Sequence, residues 1–387
     1  KIDQAGNIQW QKTYGGAHRE IIGNIILTQD GGYLVTGYSE SHNTGDKTEP
    51  NRNPAQVGNF YEGRDIWLVK LDASGGIIWQ KTYGGTGFDA GMTAIQLPDG
   101  GYIVGGISQL ANVDRSPSQA PVYGYNDQWI IRLNAQGNIL WQKSHGGSMH
   151  DALYTMIRTS DGGYVVGGYS GSGANGTKTT PFLGMGGPSN AATYRDNWVT
   201  RMDSSGNSIW QQEVAGTDGF EFQIGVRQTL NEKSGDWGIS QISSGEYLIG
   251  NISTSGATGN KTTPSRGGMD YWIVALDSNT GAINWQESFG GSNDDELTAV
   301  FQTTDGGYFL AGFSNSGISG DKSDSSRGNN DYWVIKTDAA RNIQWQKTIG
   351  GSDDDRLLTA VQTADGGFLL AGYSRSGISG EKTESSR

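Results

Sequence analysis

The feature that most constrains this chain is a sequence unit that occurs twice near its C-terminal end. Residues 298–322 and residues 359–382 are nearly the same sequence, and both centre on an Asp-Gly-Gly-aromatic motif. Repeats have to be recognised before single motifs are interpreted, because a repeated unit is one supersecondary structure that needs its neighbours for stability. The remainder of the chain consists of looser copies of the same unit, so the repeat decides the fold class.

Two tryptophan positions mark the copies. One tryptophan recurs in a Trp-Gln pair at intervals of 69, 62, 69, 75 and 60 residues, and a second recurs as Asp-x-Trp. These intervals divide the chain into about six repeats, which we expect to form one domain over residues 1–387. The Trp-Gln residues are Trp10, Trp79, Trp141, Trp210, Trp285 and Trp345, and the Asp-x-Trp residues are Trp67, Trp129, Trp198, Trp272 and Trp333.

Each copy contains four short strand-like segments, which are called strands A to D. In the first copy these are Ile21–Thr28, Tyr33–Ser39, Asp65–Leu71 and Ile77–Tyr83. The Asp-Gly-Gly between A and B predicts a hairpin, because glycine adopts the positive φ that such turns need. Strand C is apolar on both faces, which indicates that both faces are covered. The pattern therefore predicts an all-β fold, a six-bladed β-propeller of four-stranded antiparallel blades.

The two ends of the chain are expected to complete the last blade together. Leu357–Ser374 would supply its strands A and B, and Ile8–Tyr14 would supply its strand D, whereas no strand C for this blade occurs in the sequence. The alternatives are a fragment of a longer array and a seven-bladed ring, in which case residues 1–387 belong to a longer chain.

Charge and composition exclude several classes of function. The formal charge is −12 with a pI near 4.8, and such a field repels phosphate backbones, so we expect no nucleic-acid partner. No apolar run is long enough to cross a membrane, so direct membrane insertion is not expected. Glycine makes up 62 of the 387 residues and cysteine none, so the chain has many turns and no disulfide or thiolate metal site.

The ordered motifs of the repeat resemble those of a known group of proteins. The succession of Gly-Gly, Asp-Gly-Gly-Tyr, Asp-Tyr-Trp-x-Val-Lys and Gly-Asn-Ile-x-Trp-Gln-Lys is similar to a β-propeller repeat of large exported proteins in Bacteroidetes-type bacteria, and more distantly to kelch blades. The resemblance covers essentially the whole chain. It implies a secreted or cell-surface protein on the outside of a bacterium, and it does not specify a ligand.

Two motifs that look chemical are interpreted as structural. Residues 171–176 match Gly-x-Gly-x-x-Gly without the helix that a dinucleotide site requires. Gly-x-x-Gly-x-Lys-Ser/Thr occurs four times, and we predict that it is a turn after strand B whose lysine caps carbonyls or pairs with acids. The four histidines lack the spacing of a zinc site, and no cofactor is evident.

A carboxylate recurs four residues after the Gly-Gly motif. Because strand A would lie nearest the axis of a propeller, these groups would surround one mouth of its channel. The functional interpretation is a cation site, most plausibly for Ca²⁺, which prefers several oxygen ligands. The structural interpretation, which the repetition favours, is that each carboxylate accepts N–H groups of the adjacent loop. The residues are Glu20, Asp89, Asp151, Asp295 and Asp355.

The variable loops predict where a ligand would bind. The B–C loops 40–64, 109–126 and 171–195 are long, and copy four has 14 extra residues, which would lie in a D–A loop if strand A is Trp237–Ile242. B–C and D–A loops share one face, and variable loops on a rigid scaffold usually carry binding. Their aromatic residues are the candidate ligand-binding residues, although they could instead only pack the loops: Phe60, Tyr61, Tyr123, Tyr125, Phe182, Tyr194, Phe220 and Phe222.

These features favour a non-enzymatic, extracellular binding or adhesion module that recognises a glycan or a protein. No catalytic signature stands out, and whether the protein is an enzyme stays open. The alternative from another class is a hydrolase or lyase acting on polysaccharide through carboxylates at the channel mouth, which would need two carboxylates about 5–10 Å apart in a cleft. A third alternative is a structural spacer in a surface filament.

Overall fold

The protein is an all-β structure built from repeated antiparallel sheets. The computed structural model describes residues 1–52, 63–109, 114–184, 195–219, 221–223 and 238–384, and this part of the chain contains 23 strands and no helix. The first sheet consists of β1 (Glu20–Leu27), β2 (Tyr33–Ser39), β3 (Asp65–Leu71) and β4 (Ile77–Tyr83). The second consists of β5 (Asp89–Gln96), β6 (Tyr102–Gln109), β7 (Asn126–Leu133) and β8 (Ile139–His145).

The remaining sheets follow the same order. The third contains β9 (Asp151–Arg158), β10 (Tyr164–Ser170), β11 (Asp196–Met202) and β12 (Ser208–Val214). The fourth contains β13 (Glu221–Gln223), β14 (Ile239–Gln241), β15 (Tyr247–Ser253), β16 (Asp270–Leu276) and β17 (Ile283–Phe289). The fifth contains β18 (Asp295–Gln302), β19 (Tyr308–Ser314), β20 (Asp331–Thr337) and β21 (Ile343–Ile349), and the last contains only β22 (Asp355–Gln362) and β23 (Phe368–Ser374).

The chain divides into two compact units. The first comprises residues 1–181, 201–209 and 228–236, and the second comprises residues 182–200, 210–227 and 237–387. Within the first unit, the first and second sheets share a core in which Leu34 and Ile66 pack with Trp129 and Ile131. Within the second, the fourth and fifth sheets share a core that includes Tyr271, Ile273 and Trp333. The complete sheets thus have the up-and-down strand order of a propeller blade, and each of these two pairs of sheets buries a shared face within its own unit.

The hairpins form where the Asp-Gly-Gly motif was predicted to place them. In the first copy Gly31 has a φ of 78°, and the N–H of Gly32 donates to Oδ1 of Asp30. In the five sheets other than the fourth, the opposite end of the hairpin contains a bulge in the first strand, as between Ile22 and Asn24 in β1. A Cβ atom on Gly37, which lies across from this bulge, would be 2.0 Å from the carbonyl oxygen of Ile21, so this glycine permits the close approach of the two strands.

The third strand of each complete sheet is buried on both faces, as its apolar residues predicted. All seven residues of β3 are buried, and Trp129, Trp198, Trp272 and Trp333 have no measurable exposure. The indole N–H of Trp129 donates to Oε1 of Gln142 at 3.0 Å, and the same bond joins Trp67 to Gln80. The glutamine of the Trp-Gln motif therefore satisfies a buried donor on the neighbouring strand.

One expectation about strands was wrong, and one was confirmed. Ile8–Tyr14, which was predicted to be strand D of the last blade, is not a strand. The predicted strands A and B of that blade, within Leu357–Ser374, are β22 and β23. The start of segment 8–14 turns back on the N-terminal residues: the N–H groups of Gln9 and Trp10 donate to the carbonyl of Lys1, and Ile8 forms an isolated antiparallel bridge with Ile2. Tyr14 instead donates its hydroxyl to the carbonyl of Gly75, as Tyr83 does to Gly137.

The extra residues of copy four also lie elsewhere than predicted. Both β13 and β14 pair with β15, so together they occupy the position of one interrupted first strand. The insertion therefore falls between these two short strands and not in the loop before them. Trp237, which was expected to begin the first strand, lies outside the described residues.

Candidate functional site

The loop between successive sheets is held by side chains of the repeat that follows it. In the third copy, the consecutive N–H groups of residues 146–149 each donate to a side chain 2.6–2.9 Å away. Successive N–H groups pointing in one direction form a concavity that attracts anions. Here the protein fills it with its own oxygen atoms, which belong in order to Thr177, Asp151, Asn175 and Ser172.

The same arrangement explains the Gly-x-x-Gly-x-Lys motif. In the fifth copy, residues 290–293 donate to Asp321, Asp295, Ser319 and Ser316, and three of these four acceptors lie within or directly before the motif. The lysine at its end is buried: Nζ of Lys322 donates to the carbonyl of Asp324 and to the hydroxyl of Thr348, at 2.7 Å each. The motif is thus the predicted turn with a carbonyl-capping lysine.

The repeated carboxylates are buried at the start of each first strand. Asp89, Asp151, Asp295 and Asp355 have relative exposures of 0–2%, whereas Glu20 is half-buried. The N–H group four residues earlier donates to each of these four aspartates at 2.6–2.9 Å. Burial raises the pKa of Asp89, Asp151 and Asp295 above the usual range. These contacts are those of the structural interpretation.

The structure contains a sixth equivalent carboxylate that the sequence pattern did not identify. Glu221 accepts hydrogen bonds from the hydroxyls of Ser253 and Ser255, as Glu20 does from Ser39 and Ser41. Copy four has Ala215-Gly216 in place of Gly-Gly, and Glu221 follows this glycine by five residues instead of four, so the pattern missed it. The Ser-x-Ser at the end of the second strand would have identified it, because these serines contact the carboxylate.

The Ca²⁺ hypothesis for these carboxylates stays a prediction. Among the described residues, no group of three or more His, Cys, Asp or Glu side chains is placed to hold a metal ion. Melting the protein with and without Ca²⁺ tests it directly, since an ion that binds only the folded state raises the melting temperature.

The aspartate of each Asp-x-Trp motif fixes the loop before its strand, as predicted. Each accepts a backbone N–H from that loop, for example from Tyr123 to Asp127 at 3.0 Å. Burial raises the pKa of Asp65 to about 7 and that of Asp270 to about 6. In the second copy Arg115, without exposure, forms a 2.6 Å ion pair with Asp127.

Of the predicted aromatic residues, Tyr125 has the geometry of a binding platform. Its ring is 57% exposed and stacks on the imidazole of His150, with the ring centres 5.1 Å apart and the planes 19° from parallel. The backbone holds the pair, because the N–H of Tyr125 donates to the carbonyl of Met149 and Asn126 forms a parallel bridge with His150. His150 was not predicted as a ligand-binding residue.

The other predicted aromatics are less informative. Tyr123 is partly buried, and burial raises the pKa of its phenol. Phe182 is partly buried near Gly184 in the second unit. Phe60, Tyr61, Tyr194 and Phe220 lie outside the described residues, and of Phe222, which belongs to β13, only the backbone is described.

Two exposed polar residues belong to the loops next to the stacked pair. These are Ser148 and Asn175, and Oδ1 of Asn175 accepts the N–H of Ser148 at 2.6 Å. Ser148 precedes His150 by two residues in the same loop. We call Tyr125, His150, Ser148 and Asn175 the aromatic patch; all four belong to the first unit.

Comparisons with known proteins give no family assignment. No protein-family model matches the chain. The chain is 21% identical over 390 residues to Regulatory protein FlaEY of Caulobacter vibrioides, in an alignment that covers 83% of this chain and 39% of that protein. The chain therefore spans well under half the length of this relative.

Solved structures are similar at a low level. A Dyadobacter fermentans protein of unknown function matches at a TM-score of 0.39 with 12% identity, covering 88% of this chain and 87% of the other. Kuenenia stuttgartiensis hydrazine synthase matches at 0.41 with 8% identity, covering 88% and 70%. A neuraminidase-like protein from A/bat/Guatemala/164/2009 matches at 0.40 with 6% identity, covering 90% and 81%. At these scores the matches do not bear on function. Within the described residues, no helix is long and apolar enough to span a membrane.

Proposed function

We propose that this protein is an extracellular binding module that recognises carbohydrate through the aromatic patch. The observation that supports it is the exposed Tyr125 ring stacked on His150. An aromatic ring offers a large apolar surface with a polar tip, which suits the face of a sugar ring and its hydroxyls. The side chains of Ser148 and Asn175 beside it can donate to and accept from those hydroxyls.

Rigidity of the support is the second argument for binding. The loop that carries Ser148 and His150 is fixed by four hydrogen bonds to side chains of its own repeat. A site held in its bound geometry loses little conformational entropy on association, which favours affinity. The repeated carboxylates contribute to this rigidity, because Asp151 accepts one of these four hydrogen bonds. Since four of them are almost fully buried, they are poorly placed to act as acid and base on a polysaccharide.

The proposal also covers the architecture, the location and the partners of the module. We propose that the repeats form a six-bladed propeller, since each sheet has the strand order of a blade and the first strands of neighbouring sheets contact one another within a unit, as β1 contacts β5. The resemblance to exported bacterial repeats favours a secreted or cell-surface location. The acidic net charge of −12 favours neutral glycans or proteins over nucleic acid as partners.

A glycan array probed with the labelled protein tests the proposal. We expect the wild type to bind a subset of glycans and Tyr125→Ala to lose that binding while melting normally. Ile318→Ala is the matched control, because Ile318 is 71% exposed in a loop of the second unit. Absence of binding by the wild type, or equal binding by Tyr125→Ala, would contradict the proposal. Absence of any ligand would favour the structural spacer.

A further inference from the structure

We propose that the side chains of Lys47 and Asn51 join in an intramolecular amide bond, so that this pair is a self-modification site in the first copy of the repeat. The two groups are already in contact, because Nζ of Lys47 donates to Oδ1 of Asn51 at 2.7 Å. Both side chains are buried, with exposures of 1% and 4%. An amine that is held against a carboxamide can displace ammonia from it, since the reacting groups need no encounter in solution. This inference does not depend on carbohydrate binding.

The backbone holds both side chains in this contact. Nζ of Lys47 also donates to two backbone carbonyls at 2.8 Å each. Nδ2 of Asn51 donates to two others, at 2.8 and 2.5 Å. Neither side chain can turn away without leaving buried polar groups unsatisfied, so the amine stays beside the carboxamide. The carbonyls belong to Ser41 and Glu49 for the lysine, and to Ser39 and Gly63 for the asparagine.

A buried carboxyl group beside the pair can carry the proton. Oδ2 of Asp65 accepts the N–H of Arg52, the residue after Asn51, at 2.5 Å, and Oδ1 of Asp65 has no hydrogen-bond partner among the described residues. Burial lowers the pKa of Lys47 to about 8, against the opposing effects of Asp65 and Glu20. Burial also raises the pKa of Asp65 to about 7. Near neutral pH, part of the amine is therefore uncharged and nucleophilic, and the carboxyl group can both accept and donate a proton.

The step is balanced and needs no oxidant or reductant. Nζ of Lys47 attacks Cγ of Asn51, so the Nζ–Cγ bond forms and the Cγ–Nδ2 bond breaks. Nζ gives one proton to the carboxylate of Asp65, and the resulting carboxyl group gives a proton to Nδ2, which leaves as ammonia. The products are a secondary amide between the two side chains and one molecule of ammonia. The chain therefore loses only the mass of ammonia.

The fifth copy provides a matched comparison. Ser326 occupies the position of Asn51, since each donates to the carbonyl of the serine that ends the second strand. The equivalent lysine, Lys322, is also buried, but it donates to a backbone carbonyl and to the hydroxyl of Thr348. A hydroxyl group offers no acyl carbon, so Lys322 should stay unmodified. For the same reason Asn51→Ser should fold and lack the amide bond.

Mass spectrometry of the denatured protein and a tryptic peptide map test the inference. We expect most of the wild-type protein to be lighter than its sequence by one ammonia, and residues 20–52 to form one peptide that trypsin has not cut after Lys47. Lys47→Arg and Asn51→Ser should both have the full sequence mass. A wild type of full mass would overturn the inference. Loss of ammonia that persists in Lys47→Arg would also overturn it, because Asn51 would then have cyclised with its own backbone.

Asp65→Asn tests the proton carrier separately. This variant cannot accept and return the proton, so we expect it to contain at least tenfold less of the linked peptide than the wild type when both are purified directly after expression. A thermal melt confirms that the variant is folded. An equal amount of linked peptide in the two proteins would overturn the role of Asp65.

Discussion

The N–H of Gly147 donates to Oδ2 of Asp151 at 2.7 Å, and the hydroxyl of Ser172 donates to the same oxygen at 2.8 Å. One buried carboxylate thereby joins the loop that follows β8, the start of β9 and the loop that follows β10. His150 immediately precedes this aspartate, so the bond also fixes the aromatic patch. The repetition of this contact in other copies makes it a structural part of the repeat on which variable residues are placed.

Removal of this carboxylate should destabilise the protein. Asp151→Ala leaves the buried N–H of Gly147 and the hydroxyl of Ser172 without their acceptor, and we expect a loss of about 2–3 kcal/mol in the free energy of unfolding. Urea denaturation measures this loss. Glu287→Gln is the control, because its 3.6 Å pair with Arg341 is partly exposed and should contribute little. Equal stabilities of the two variants would contradict this role of Asp151.

The first glycine of the Gly-Gly motif should not tolerate a side chain. A Cβ atom on Gly350 would lie 1.9 Å from Oδ1 of Asp331, whereas one on Gly377 would meet nothing within 4 Å. We expect Gly350→Ala to lower the free energy of unfolding by about 1–3 kcal/mol through overpacking. Gly377→Ala should change it little, and a thermal melt compares the two. Similar melting temperatures would show that the loop can move away from Asp331.

The glutamine of the Trp-Gln motif should stabilise both the neighbouring strand and the B–C loop, because it bonds to residues of each. Oε1 of Gln142 accepts the indole N–H of Trp129 and the N–H of Ser116, and its Nε2 donates to the carbonyl of Asp114. Gln142→Met keeps the volume but leaves these partners unsatisfied, so we expect a loss of about 2–3 kcal/mol. The control is Gln136→Met in an exposed turn, and urea denaturation of both variants gives the difference. Hydrogen exchange of the Ser116 amide should also become faster only in Gln142→Met.

Stability should depend on pH through Asp65. Burial raises the pKa of this carboxyl from 3.8 to about 7 in the folded protein. The folded state therefore holds its proton at pH values where the unfolded chain has lost it, and the resulting stabilisation is full below pH 4 and lost as the pH rises towards 7. Burial lowers the pKa of His145 from 6.5 to about 4, so its effect on stability has the opposite sign. Its contribution is full above pH 6.5 and is lost as the pH falls towards 4.

The variant Asp65→Asn separates the pH effect of Asp65 from that of His145. Asp65→Asn removes only the carboxyl, so its stability relative to the wild type should increase as the pH is raised from 4 to 7. Urea denaturation at several pH values measures this difference. A difference that stays constant over that range would show that Asp65 does not change its protonation there.

Local and repeated features of the fold could be predicted from the sequence. The Asp-Gly-Gly hairpins follow from the backbone freedom of Gly31 and its equivalents, and the burial of β3 follows from its two apolar faces. The role of the carboxylates followed from their repetition. What failed depended on partners or spacing: residues 8–10 bond to residues 1 and 2 and not to a strand of a sheet, and Glu221 lies one position later than its equivalents. The ring of six blades stays a prediction.

The candidate site could be predicted only in part. Tyr125 was identified because it lies in a variable loop, but His150 is 25 residues away in the sequence, and its contact with Tyr125 depends on how the second and third sheets lie side by side. No local pattern contains that information.

Isothermal titration calorimetry of Tyr125→Ala against the wild type, with the glycan that binds most strongly on the array, tests the central claim most directly. The account predicts that the wild type binds this glycan and that the variant, with an unchanged melting temperature, binds it at least tenfold more weakly, a difference of about 1.4 kcal/mol. The same affinity for both proteins would contradict carbohydrate recognition by the Tyr125–His150 pair.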